Sequence, residues 1–141
     1  MVEEKMNDLK GRVLEEMTTN YSSALEKNFE LAKQFIRITK NGKVEILFKE
    51  RLTGKERILL YLIGKLYAKE AELASSEEAG NKELMDELGM CKGSLLPWLK
   101  DLRAEGAVKP MKRGKFTNHT ISINFVEDTL KSIEKKVSKE V

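Results

Sequence analysis

The sequence predicts an α+β fold, and three features carry that expectation. Apolar residues recur at steps of three and four in several stretches, the period of helices with one buried face. Two shorter stretches, around Asn41-Gly42 and from His119 to Phe125, instead alternate apolar and polar residues, the period of strands. Between them, two short apolar-faced segments are separated by Gly89 and followed by a basic stretch around Gly114, in the order helix, turn, helix, hairpin. At 141 residues the chain has the length of one domain, or of a small domain with an appendage.

Residues 8 to about 34 read as one long amphipathic helix. Leu14, Met17, Tyr21, Ala24, Asn28, Leu31 and Phe35 fall at heptad spacing, with Asn28 the polar residue on the seam. A second row, Leu9, Val13, Leu25, Phe29 and Ala32, widens the apolar face. A helix of that length spans roughly 40 Å, long for covering one side of a small core. It therefore reads as a dimerisation helix with Asn28 setting register, the alternative being a helix packed across its own domain. From Phe35 to Phe48 the alternation on both sides of Asn41-Gly42 predicts a β-hairpin closed by a type I′ turn.

Thr53-Gly54-Lys55-Glu56 has the form of a capping box ahead of an apolar run. It opens a helix to about Leu73 that buries Ile58, Leu59, Leu62, Ile63 and Leu66, the expected central core helix. Residues 74–80 read as a polar loop in which Glu77 and Glu78 are solvated, and Asn81 as the N-cap of the next helix. That helix ends at Gly89, and a second runs from about Lys92 to Glu105 and stops at Gly106. Leu95, Trp98, Leu99 and Leu102 share one face of it, so that face belongs to the core. Past Phe125, Val126, Leu130, Ile133 and Val137 repeat at steps of 4, 3 and 4 in a final helix to about Lys139, able to pair with the N-terminal helix within one chain or across two.

The charge is unevenly placed. The chain carries 26 basic and 23 acidic residues, and the whole excess of three lies in residues 81–125. Ala107 to His119 holds Lys109, Lys112, Arg113 and Lys115 and no acid, the electrostatic footprint of a polyanion-binding surface. A charged fraction of 35% and no apolar run near the ~20 residues of a membrane span exclude an integral membrane protein. The N-terminal residues lack the apolar stretch of a secretion signal, which points to a cytoplasmic protein. One cysteine permits no internal disulfide, and one histidine beside it leaves too few soft ligands for zinc. With no nucleophile–base arrangement and no Gly-rich phosphate loop, neither enzyme activity nor a metal or other cofactor is expected.

Helix, turn, helix and a basic-tipped hairpin make the order of a winged helix-turn-helix domain. Lys82-Glu83-Leu84 with Glu87-Leu88-Gly89, then Gly93-Ser94-Leu95-Leu96-Pro97-Trp98-Leu99-Lys100-Asp101-Leu102 and Glu105-Gly106, resembles the signature of winged-helix transcription regulators. The string around Ser94 to Leu102 is most similar to the recognition helix of PadR-type repressors, and the likeness covers roughly residues 55–125. The organisation expected is thus residues 1–50 as a long helix plus β-hairpin for dimerisation or packing, 51–125 as the winged domain, and 126–141 as a C-terminal helix.

The resemblance implies double-stranded DNA as the partner, with the second helix in the major groove and the wing on phosphates. Mapped onto this chain, that face offers Lys92, Ser94, Leu96, Pro97, Lys100 and Arg103, and the wing offers Lys112, Arg113 and Lys115. The helix lacks the Asn or Gln of a bidentate base reader, so backbone contacts from Lys92, Lys100, Lys112, Arg113 and Lys115 are expected to dominate. Five such contacts imply a salt slope of about −4 to −5 per chain. A homodimer through the N- and C-terminal helices is expected by analogy. The alternative is a winged module that binds a protein partner through Leu96, Pro97 and the heptad helix. Of the remaining residues, Cys91 reads as a turn residue rather than a redox sensor, His119 as a surface or phosphate-contacting residue, and Trp98 as core.

Overall fold

The computed structural model describes residues 9–14 and 21–139. Residues 9–14 are helical, and helices α1 (Tyr21–Lys27) and α2 (Phe29–Lys33) follow. Residues 8 and 15–20 of the expected long helix lie outside the described residues. Its remainder is interrupted at Asn28, whose backbone leaves helical geometry (φ −99°, ψ 8°). The Asn28 side chain is buried and its Nδ2 donates to the Ala24 carbonyl at 2.8 Å. Asn28 thus satisfies its own chain's backbone, which corrects its reading as a register-setting residue between two chains. The buried row is Leu25, Asn28, Ala32 and Phe35, drawn from both rows seen in the sequence, while Phe29 is exposed.

Strands β1 (Ile36–Ile38) and β2 (Val44–Ile46) pair antiparallel with Ile36 opposite Ile46 and Ile38 opposite Val44. Their connection is not the two-residue type I′ turn. Gly42 N donates to Thr39 O, and Thr39 N to Lys43 O, both at 2.9 Å, while only Gly42 of the loop takes a positive φ, at 85°. This is a three-residue loop with a left-handed glycine, the other common hairpin closure. A Cβ at Gly42 would also stand 2.3 Å from the Leu73 carbonyl oxygen.

Helix α3 (Gly54–Glu70) opens on the expected capping box. Glu56 N donates to Thr53 Oγ1 at 3.2 Å and Thr53 N to Glu56 Oε1 at 2.8 Å. Ile58, Leu60, Tyr61, Leu62, Ile63, Leu66 and Ala68 are buried and Leu59 is half-buried, so α3 is the central helix. It stops a turn before Leu73 because Glu72 adopts φ 60° and Leu73 N reaches back to Ala68 O at 2.8 Å. That is a Schellman ending with a glutamate where glycine is usual.

The next stretch holds a strand the sequence did not announce: β3 (Ala79–Gly80) pairs with Asn118 and His119. Gly80 is the N-cap of helix α4 (Asn81–Leu88), so Asn81 is the first helical residue and not its cap. Gly89, at φ 64°, ends α4, and helix α5 (Lys92–Ala104) follows. Strands β4 (Val108–Arg113) and β5 (Phe116–Ile121) form a hairpin around Gly114 (φ 62°), and the sheet order is β3-β5-β4. The second strand therefore runs earlier than the expected 119–125, and residues Ile123–Phe125 form a 3-10 turn. Helix α6 (Val126–Lys139) buries Val126, Leu130, Ile133 and Val137, and packs on α2 and α3 of its own chain. One hydrophobic cluster runs from Leu25 to Val137 through both hairpins and α3, giving a mixed α+β fold with two small antiparallel sheets. No described helix is long and apolar enough to cross a membrane.

Candidate nucleic-acid interface

Helix α5 divides its faces sharply. Leu95, Leu99 and Leu102 are buried, and half-buried Trp98 lies against Gly54, where an added Cβ would meet the indole at 2.3 Å. On the outer side Lys92, Pro97, Lys100 and Arg103 are exposed, while Ser94 and Leu96 are half-buried. Pro97 has no N–H to offer the Gly93 carbonyl, so one helical hydrogen bond is missing on that outer side. Arg103 Nε donates to its own helix at Leu99 O, 3.3 Å away.

Glu83, Glu87, Asp101 and Glu105, four acids of this region, are already matched. Lys55 Nζ lies 3.1 Å from Asp101 and 3.9 Å from Glu105, so α3 supplies the cation for both α5 carboxylates. Lys43 lies 3.8 Å from Glu87. By contrast, Lys92, Lys100, Lys112 and Lys115 form no ion pair among the described residues. The outer side of α5 and the hairpin tip thus present cations whose nearby acids are held by other bases.

Arg113 belongs to a different group. Its Nε donates to Glu78 Oε1 at 3.0 Å, its second nitrogen pairs with Oε2, and Asn118 Nδ2 donates to Oε1 at 3.1 Å. The Arg113 hydrogen bond holds the Glu78 carboxyl below its usual range, with Asn118 adding to the effect. Arg113 is therefore a strut tying the hairpin to the segment before β3, which revises its expected role as a free phosphate contact. Glu78 and Glu77 are correspondingly part-buried and paired: Glu77 lies 3.0 Å from Lys69.

His119 departs furthest from expectation. It is only 2% exposed, on β5 opposite Ala79, and its Nε2 lies 2.7 Å from Asn81 Oδ1. Burial, with Arg103 nearby, pushes its pKa down to about 4. The neutral ring with its proton on Nε2 fits, because Nδ1 has no partner among the described residues and a second buried N–H would be left unbonded. His119 is structural, and Asn81 is its partner. Beneath α4, Tyr61 Oη donates to Glu83 at 2.5 Å and Lys65 lies 3.1 Å from the same carboxylate, fixing α4 to α3.

The N-terminal ends of α4 and α5 and the hairpin enclose a groove lined by Lys82, Lys92, Lys115, Phe116, Met85 and Asn118. Sequence reasoning missed Lys82, which sits outside the helix expected to read DNA, and Phe116, which no motif or periodicity singled out. Phe116 is 75% exposed, more than any other exposed large apolar residue among those described. Cys91 caps α5 and is exposed; a hydrogen bond with Ser94 lowers its thiol pKa. Among the described residues no group of three His, Cys, Asp or Glu side chains is arranged to hold a metal. No family model, curated protein or solved structure matches the chain.

Proposed function

We propose that this chain is a winged helix-turn-helix transcription regulator that binds double-stranded DNA. In this reading α5 enters the major groove and the β4–β5 hairpin is the wing lying along the backbone. One observation carries it: Lys92, Lys100, Lys112 and Lys115 have no ion pairs among the described residues, while Asp101, Glu105 and Glu78 beside them are held by Lys55 and Arg113. A surface kept basic in this way suits a polyanion. The order β3-α4-α5-β4-β5 and the three-stranded sheet agree with such a domain, and the PadR-like string remains a resemblance. The contacts are mostly to phosphates, since α5 offers no Asn or Gln for bidentate base recognition and its Arg103 Nε is bonded to Leu99 O.

The proposal includes a homodimer, and here the C-terminal helix is not the route, because its apolar face is buried in its own chain. The N-terminal helices are, through exposed Phe29 in an apolar groove with Leu25, Ile38, Tyr67 and Ala71. That groove also favours the second reading, a protein-interaction module. Fluorescence anisotropy with a labelled random-sequence duplex separates the two. Micromolar binding at low salt, weakened by changing Lys92, Lys112 and Lys115 together to Ala, supports DNA; no binding at low salt removes it.

A further inference from the structure

We infer that the groove between the hairpin tip and the ends of α4 and α5 binds an unpaired nucleobase stacked on Phe116, giving the protein a preference for duplex carrying a single-stranded tail. The inference deepens the DNA-binding reading by naming a further nucleic-acid form that the same surface takes.

Three features converge on it. Phe116 opens β5 directly after the turn at Gly114 and Lys115, and leaves three quarters of its surface in water. Among the described residues no aromatic or cation–π pair uses its ring; those pairs involve Phe29, Tyr67, Phe35 and Phe48. It nevertheless lines a groove, with Lys82, Lys92 and Lys115 contributed from three elements. An aromatic face among separated cations is the arrangement by which proteins hold single strands, the ring taking a base and the cations the flanking phosphates.

A paired base offers such a ring little. Its faces are already covered by its neighbours in the stack, and opening a step for an apolar wedge costs a few kcal/mol. A tail or frayed end presents the same face uncovered. The groove volume of about 610 Å³ lies within the range of small-molecule sites, enough for a base and its sugar. Asn118 on its wall donates to Glu78, which holds that side chain in place.

The test compares a blunt duplex, the same duplex with a short thymidine tail, and the free oligothymidine strand, by anisotropy at one low salt concentration. Each is measured with wild type, Phe116→Ala and Phe116→Leu. Stacking predicts that the tail tightens binding by roughly five- to 150-fold and that both variants lose this gain. Leucine keeps an apolar side chain without a π face, so retention of the gain by Phe116→Leu overturns stacking. Duplex binding with no gain from the tail overturns this inference and leaves the duplex reading intact. Phe116-dependent binding of the single strand without duplex binding upholds it and removes the duplex reading. Binding of neither removes both.

Discussion

Arg113 and Glu78 stand 35 residues apart in sequence and meet as a two-point ion pair at the base of the hairpin tip. With Asn118 bound to the same carboxylate, Glu78 ties the segment before β3 to both strands of the β4–β5 hairpin. Glu78→Gln is therefore expected to speed amide exchange at the ends of β4 and β5 while leaving exchange in α3 unchanged. It also releases Arg113. If DNA lies along the hairpin, the freed guanidinium adds one phosphate contact and the salt slope steepens by about 1. Unchanged exchange at the tip would show that Glu78 does not hold the hairpin.

His119 sets a pH limit on stability. Its folded pKa, pushed down to about 4, lies below the unfolded value near 6.5, so the unfolded chain takes up the proton first. Stability is full above about pH 6.5 and falls as pH drops towards 4. The expected loss between pH 7 and pH 5 is about 2 kcal/mol. Urea midpoints across this range should show that loss in wild type and not in His119→Gln, whose amide does not titrate. Glu56, Glu77, Glu78 and Glu127, all lowered by hydrogen bonds to bases or backbone groups, lose their contributions only at lower pH, near and below the ordinary carboxylate range.

The N-terminal hairpin docks on α3 through Gly64. A Cβ there would lie 2.4 Å from Val44 Cγ1 and 3.0 Å from Cγ2. Val44 is β-branched and buried, so it has little freedom to turn aside. Gly64→Ala should gain about 1 kcal/mol of helix propensity and lose about 1–3 kcal/mol to overpacking, for a net destabilisation in urea unfolding. A variant as stable as wild type would contradict the tight docking.

Phe29 tests the proposed dimer. Its ring lies 6.3 Å from Tyr67, in a groove lined also by Glu26, Glu30 and Glu70. Phe29→Glu is expected to shift sedimentation from dimer to monomer with little change in unfolding temperature. A wild-type chain that sediments as a monomer would remove the homodimer.

The parts of the fold that were legible in the sequence are those set by neighbours a few residues apart. The Thr53/Glu56 capping box, the left-handed glycines at Gly89 and Gly106, and the spacing of Val126, Leu130, Ile133 and Val137 are all local signals, and the elements they mark form as expected. The misreadings lie where distant residues decide. β3 is two residues long and exists only because β5 lies beside it, and the same pairing carries His119 into the interior against Asn81. Glu72 takes a left-handed angle that its side chain does not advertise. In the candidate interface Lys112 and Lys115 were readable from charge placement, and Lys92 and Lys100 from the family resemblance. That Arg113 is held by Glu78, and that Lys82 and Phe116 share a groove with Lys92, depends on the tertiary fold.

The most direct test of the central claim is the salt dependence of duplex binding. With Lys92, Lys100, Lys112 and Lys115 on phosphates and Arg113 held by Glu78, log K should fall against log salt with a slope of about −3 to −4 per chain. Changing Lys92, Lys112 and Lys115 to Ala should reduce its magnitude by about 3. A slope that those substitutions leave unchanged, or no binding even at low salt, would contradict the account.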